Sequence, residues 1–152
     1  MQKKMIKANV ILDNTKWKKK IKNPKNYINK QLKIITKKKI IKKKSKFFTV
    51  LLTTSREMKK LNYKFRKKNK STDVLSFPFN KKISNVSYLG DVAICYEIIK
   101  KRSKKKNFFY EFDRIWIHGL LHLLGYRHYK YKDFKIMQNK ENKILKTLYK
   151  LN

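Results

Sequence analysis

Every histidine of this 152-residue chain falls in one short stretch, where His118, His122 and His128 are the three the sequence holds. His118 and His122 are four residues apart, so on a helix their imidazoles project from one face about one turn from each other and can share a ligand. Gly125 follows, the residue type that most readily adopts the left-handed conformation that ends a helix. The chain can then turn and bring His128 back as a third donor. Three neutral imidazoles meeting at one point suit zinc, one ion per chain, whose catalytic sites take three protein ligands and keep the fourth tetrahedral position for water. Taken singly, the helix histidines read as half-buried helix residues and His128 as a loop residue; the spacing of the set is what points to a metal.

The spacing His-x3-His-x5-His also occurs in metzincin proteases, where a glutamate directly after the first histidine is the general base. Gly119 stands at that position here, which argues against a peptidase of that mechanism. A metal can still lower the pKa of water and polarise a phosphoryl oxygen without that glutamate.

The stretch His118-Gly119-Leu120-Leu121-His122-Leu123-Leu124-Gly125-Tyr126-Arg127-His128 resembles the signature of the YbeY-type endoribonucleases, His-Gly-x-Leu-His-Leu-x-Gly-Tyr-Asp-His, with Arg127 in place of the aspartate. Two further segments of that family are matched in order: Leu61-Asn62-Tyr63-Lys64-Phe65-Arg66 with Thr72-Asp73-Val74-Leu75-Ser76-Phe77-Pro78, and Leu89-Gly90-Asp91-Val92-Ala93-Ile94. The resemblance implies a compact α+β domain whose cleft holds the three histidines, and metal-dependent cleavage of single-stranded RNA in ribosomal RNA maturation and ribosome quality control. It also implies that Arg66 points into the cleft, where a guanidinium binds phosphate bidentately and stabilises developing charge. From its position alone Arg66 could also merely suit a helix C-terminus, where the macrodipole favours a cation, and the cleft role is preferred. Arg127 would place a cation beside a dication, and its side chain is expected to turn to solvent.

The elements that must position these groups can be read in outline. Ala8 to Leu12 suggests a first strand, after which Trp17 anchors the chain. Pro24 suits the first turn of an amphipathic helix carrying Ile28, Leu32 and Ile35 at helical spacing. Phe47 to Thr53 reads as a buried strand. Thr54 and Glu57 have capping-box spacing ahead of a helix with the stripe Met58, Leu61 and Phe65. Lys67 to Lys70 form a basic loop, in which Lys67, Lys68 and Lys70 are candidate RNA contacts, and Thr72 to Phe79 is a third strand closed by Pro78. Ser76 can face the cleft but has no base partner. Asn80 to Ser87 is a polar connection, and Tyr88 to Tyr96 is a fourth strand, apolar on both faces as a strand beneath helices is. In it, Asp91 reads as a structural residue in preference to a cleft residue. Glu97 to Lys106 and the central stretch Tyr110 to Leu124 are expected to be helical. Phe134, Met137, Glu141, Ile144, Leu145 and Leu148 mark a last amphipathic helix. Between the last two, Tyr129 and Tyr131 interleave with Lys130 and Lys132, a composition suited either to stacking on unpaired bases or to packing on the domain.

Four strands and about five helices not in strict alternation give a single α+β domain over residues 1–152, a four-stranded mixed sheet packed with helices and a metal site in a cleft on the central helix. Lys+Arg 43 against Asp+Glu 9 gives a net charge of +34, which attracts any polyanion. Much of it is lysine, in a chain also rich in Asn, Ile and Phe, residues with AT-rich codons, so composition drift discounts the lysines and leaves the few arginines the more informative cations. Cys95 has no partner for a disulfide and reads as apolar filler in a strand. No apolar run is long enough to cross a membrane, so the expected setting is cytoplasmic, with RNA and the ribosome as partners. Two other readings differ in class: an RNA- or ribosome-binding factor with a structural zinc, and a zinc hydrolase of another substrate. A fourth protein ligand would favour the former, and activity on small esters but not RNA the latter.

Overall fold

The computed structural model describes residues 4–79 and 87–150. The chain order is β1 (Ile6–Leu12), a short 3-10 turn (Thr15–Lys19), α1 (Pro24–Lys37), β2 (Lys46–Thr53), α2 (Ser55–Arg66), β3 (Val74–Pro78), β4 (Tyr88–Cys95), α3 (Tyr96–Arg102), α4 (Phe108–Leu123) and α5 (Tyr131–Tyr149). The strands form one mixed sheet in the order β1-β2-β4-β3, with β1, β2 and β4 parallel and β3 antiparallel to β4. The α+β domain with a four-stranded sheet and five helices is as the sequence led us to expect. The connection expected between β3 and β4 lies, except for Ser87, outside the described residues.

Side chains alternate across a strand, so β4 serves two cores. Val92 and Ile94 belong to the main cluster, with Ile28, Leu32 and Ile35 of α1 and Phe112, Trp116 and Leu120 of α4. Ala93 and Cys95 face the other way, into a smaller cluster with Met58 of α2 and Leu75 of β3. That two-sided burial explains the apolar run in β4. Asp91 is exposed and accepts from the Tyr88 hydroxyl, while its neighbour Val92 faces α4; Asp91 is thus turned from the histidines, the structural alternative. Asn29 of α1 covers the outer edge of β1 by pairing with both the N–H and the carbonyl of Ala8, at 2.9 Å each.

Buried polar groups tie the helices together. Asp113 of α4 is fully buried and accepts from Tyr27 of α1 at 2.7 Å, Tyr149 of α5 at 2.6 Å and Trp116 at 2.7 Å, so one carboxylate joins three helices. Burial pushes its pKa up against those donors. Trp17 is also fully buried and donates through Nε1 to the Thr53 carbonyl at 3.0 Å, the anchoring role expected of it.

Four local expectations are corrected. Thr54 caps α2 by position but makes no side-chain capping bond; Glu97 of α3 accepts from the Ser55 N–H at 2.8 Å instead, so a non-local carboxylate does what the capping-box spacing suggested. Phe65, placed on the apolar stripe, is 57% exposed, its ring packing on Phe77 at a centroid distance of 5.0 Å. The helix after β4 stops at Arg102, where Ser103 turns back to bond the Lys100 carbonyl at 2.9 Å. α4 begins at Phe108, two residues before the expected Tyr110, because Asn107 accepts from the Phe109 N–H at 2.8 Å as its N-cap.

Candidate active site

α4 rests directly on the sheet because Gly119 leaves room for it. A Cβ at Gly119 would meet Val92 Cγ1 of β4 at 2.5 Å and Ser76 Oγ of β3 at 3.3 Å. The residue that removes the protease base from the sequence is therefore the one that allows the central helix to approach the strands. Ser76 donates to the Gly119 carbonyl at 3.2 Å, so its hydroxyl is engaged in this packing.

α4 ends as its glycine suggested. Gly125 takes φ +102°, its N–H reaches the His122 carbonyl at 3.1 Å, and the Tyr126 N–H reaches the Leu121 carbonyl at 3.0 Å, the pair of bonds of a Schellman stop. The reversal carries His128 back toward His118 and His122, with ring centroids 5.9 and 4.9 Å away. One ligand atom from each of the three rings lies within 4.8 Å of the others.

The hydrogen bonds behind the rings decide which nitrogens face the shared point. His122 Nδ1 lies 3.0 Å from the Tyr126 carbonyl, which can only accept, so Nδ1 carries the proton and Nε2 keeps its lone pair. His118 Nδ1 likewise meets the Glu141 carboxylate of α5. The two Nε2 atoms then face each other at 3.1 Å. Two neighbouring ligands of a tetrahedral ion with metal–nitrogen bonds near 2.0–2.1 Å sit about 3.3 Å apart. Burial, with the neighbouring His118, lowers the His122 pKa to about 4, which keeps that ring neutral at ordinary pH. These residues fit a divalent metal ion. Among the described residues no fourth protein ligand joins the three, so a four-coordinate ion held there would keep one position for another donor.

The cluster opens into a cavity of about 520 Å³ whose lining includes Arg66, Asp73, Ser76, Arg127 and Tyr129. Residues 11–149 match the family Endoribonuclease YbeY. The chain belongs to that family. A YbeY relative from Pelagibacter ubique (strain HTCC1062), named Endoribonuclease YbeY, is 48% identical over 147 residues, covering 93% of this chain and 95% of the relative. One of the same name from Wolbachia sp. subsp. Drosophila simulans (strain wRi) is 36% identical over 149 residues, covering 95% of each. The solution structure of TM1509 from Thermotoga maritima superposes with a TM-score of 0.62 at 28% identity, over 95% of this chain and 89% of that one.

Set against the YbeY signature, the expected residues divide. Arg66, at the last turn of α2, lines the cavity with the histidines, and Asn62 one turn before it is buried and holds the following loop by donating to the Lys70 carbonyl at 2.9 Å. Lys67, Lys68 and Lys70 are exposed on that loop and do not line the cavity; Lys67 takes φ +56° as the left-handed end of α2. Tyr129 lines the cavity at 84% exposure, whereas Tyr131, 75% exposed, opens α5 outside it; neither packs on the domain. Arg127 departs from expectation as well as from the signature. Its Nη1 donates to the carbonyls of His122 and Tyr126 at 2.9 Å each, oxygens that also accept from the Gly125 N–H and from His122 Nδ1, at a helix C-terminus whose dipole favours a cation. Glu141 was read only as part of a helix stripe. The signal available was an acid on the otherwise apolar face of Met137, Ile144 and Leu148, in a chain poor in acids.

Proposed function

We propose that the chain is a zinc-dependent endoribonuclease that cleaves single-stranded RNA in ribosomal RNA maturation, acting on the ribosome or its precursors in the cytoplasm. The observation that carries this reading is the set of three imidazoles, two of them turning Nε2 toward a common point, on the wall of the cavity that also holds Arg66. His118, His122 and His128 would hold the ion, and imidazole ligands with an open tetrahedral position favour zinc. Bound there, zinc supplies Lewis acidity toward a phosphoryl oxygen and lowers the pKa of water.

The chain's own residues supply the rest. Arg66 presents a planar donor fork that binds two phosphate oxygens at once and stabilises the negative charge that grows as the phosphorus is attacked. Tyr129 offers an exposed ring on which an unpaired base can stack, a contact that tolerates any sequence. Asp73 is the one carboxylate among the lining residues, and it is engaged: burial would raise its pKa, but the Arg102 guanidinium at 2.6 Å and the Val74 N–H at 2.8 Å hold it below the usual carboxylate range. It is a poor proton acceptor as placed. The residues in the cleft therefore bind, orient and neutralise, and none resembles an activated serine or cysteine nucleophile. The charge of +34 adds general attraction for RNA that falls with salt as counterions are released.

The test is cleavage of a labelled single-stranded RNA by wild type and by His122→Ala, purified identically so that a contaminating nuclease shows equally in both. Cleavage by wild type alone supports the reading. Equal activity, or none in either, returns the chain to an RNA-binding factor with a structural metal.

A further inference from the structure

We propose that Arg127 is a second phosphate anchor of the RNA cleft, standing where the family signature carries an aspartate; the inference rests on the RNA-cleaving reading above. Both Nη1 hydrogens are accounted for by the two carbonyl bonds, to His122 and Tyr126. A guanidinium has five N–H donors, so one on Nε and two on Nη2 remain, and these have no partner among the described residues. That Nε–Nη2 edge is the fork that donates to two oxygens of one phosphate.

Three features separate this group from an ordinary surface cation. The side chain is half-buried and already fixed at its Nη1 end, so the ordering that a free arginine gives up on binding has been met by folding. Among the described residues no carboxylate neutralises it, and the acid lining the cavity, Asp73, bonds Arg102. It lines the same cavity as Arg66 and the histidines, so a strand whose scissile phosphate meets Arg66 has a neighbouring linkage available for Arg127. An aspartate at this position would repel that linkage.

The bland alternative is that Arg127 only caps α4. The two roles separate in the salt dependence of binding, which a structural cap does not set. Metal-free protein is titrated against a fluorescein-labelled single-stranded RNA at increasing sodium chloride, and binding is read by anisotropy. Arg127→Gln is expected to reduce the log–log salt slope by about 0.7, the value for one phosphate on a single strand, and so to weaken binding about fivefold near 0.1 M salt. Arg127→Lys keeps the charge and is expected to keep the slope. Lys143→Gln removes an exposed charge on α5 outside the cavity lining and is expected to leave the slope as it is. Arg127→Asp restores the signature residue; RNA binding falls below that of Arg127→Gln, while zinc affinity by chelator competition stays the same or tightens. Thermal melting of each variant shows whether the fold is kept. An unchanged slope in folded Arg127→Gln overturns this assignment and leaves the nuclease reading standing. Failure of wild type to bind RNA overturns the nuclease reading, and this assignment with it.

Discussion

Glu141 should govern how tightly the centre holds its metal without touching the metal itself. Its carboxylate meets His118 Nδ1 from α5, with side chains 17% and 28% exposed for Glu141 and His118, so the contact is sheltered but not dry. A hydrogen bond to a charged group is worth about 1.5–3 kcal/mol. Loss of a carboxylate behind a ligating histidine typically weakens metal binding about 10–100-fold, or about 1.4–2.7 kcal/mol, and the two figures agree. Glu141→Ala should therefore bind zinc 10–100-fold more weakly in competition with a chromogenic chelator, and Glu141→Gln, which keeps an acceptor but no charge, should lie between it and wild type. The metal-free protein offers an independent reading, because nitrogen-15 NMR distinguishes the two tautomers of a neutral imidazole. His118 should hold its proton on Nδ1 in wild type and shift toward Nε2 in Glu141→Ala. Zinc affinity within twofold of wild type, or an unchanged His118 tautomer, would refute the argument that Glu141 orients this ring.

Four further outcomes follow from the same contacts. Gly119→Ala should destabilise by about 1–3 kcal/mol in urea unfolding although alanine is the better helix former, since its Cβ would press on Val92; Gly119→Glu should not fold, so the metzincin base cannot be installed here. Asp113→Ala should cost about 3 kcal/mol or more by the same assay, because Tyr27, Tyr149 and Trp116 all lose their acceptor. The fold prefers His122 neutral, with a pKa of about 4 against 6.5 when unfolded, so the unfolded chain binds more protons between those values. Stability of the metal-free protein should thus be complete above about pH 6.5 and fall as the pH drops toward 4, a dependence that His122→Ala removes. Arg66→Ala should keep zinc affinity and lose most RNA cleavage; unchanged turnover would take Arg66 out of the mechanism.

The features legible in the sequence are those whose physics is local. Two histidines four apart and a glycine at the helix stop act within one turn, so His118, His122 and the reversal to His128 could be placed before any fold was known. The stripe Ile28, Leu32 and Ile35 was legible for the same reason, and all three are fully buried. What was hidden depends on contacts between distant segments. Glu141 meets His118 across 23 positions, and Glu97 caps α2 across 42. Propensity carries no information about either pairing. Arg127 was misplaced for a related reason: reading it as a solvent cation leaves out the attraction of a helix C-terminus for a cation, which holds its guanidinium against the turn that ends α4.

These non-local carboxylates change what the charge of the chain means. With nine acids against 43 basic residues, an acid spent on a buried contact is scarce, and the structure spends several on holding other groups in place. Asp113 gathers three helices, Asp73 fixes Arg102, Glu97 closes the start of α2 and Glu141 sits behind His118. Among the described residues none is left in the cleft as an unengaged negative charge, so Arg66 and Arg127 line it without an internal competitor. A cleft that joins three imidazoles to two guanidinium groups without a carboxylate partner among the described residues would select a polyanion on two grounds at once. A metal held by the three histidines would polarise one phosphate, while the arginines would favour a ligand whose negative charge continues along the strand. A small neutral ester satisfies the first condition and not the second, so the same pocket should discriminate against it even with the metal in place.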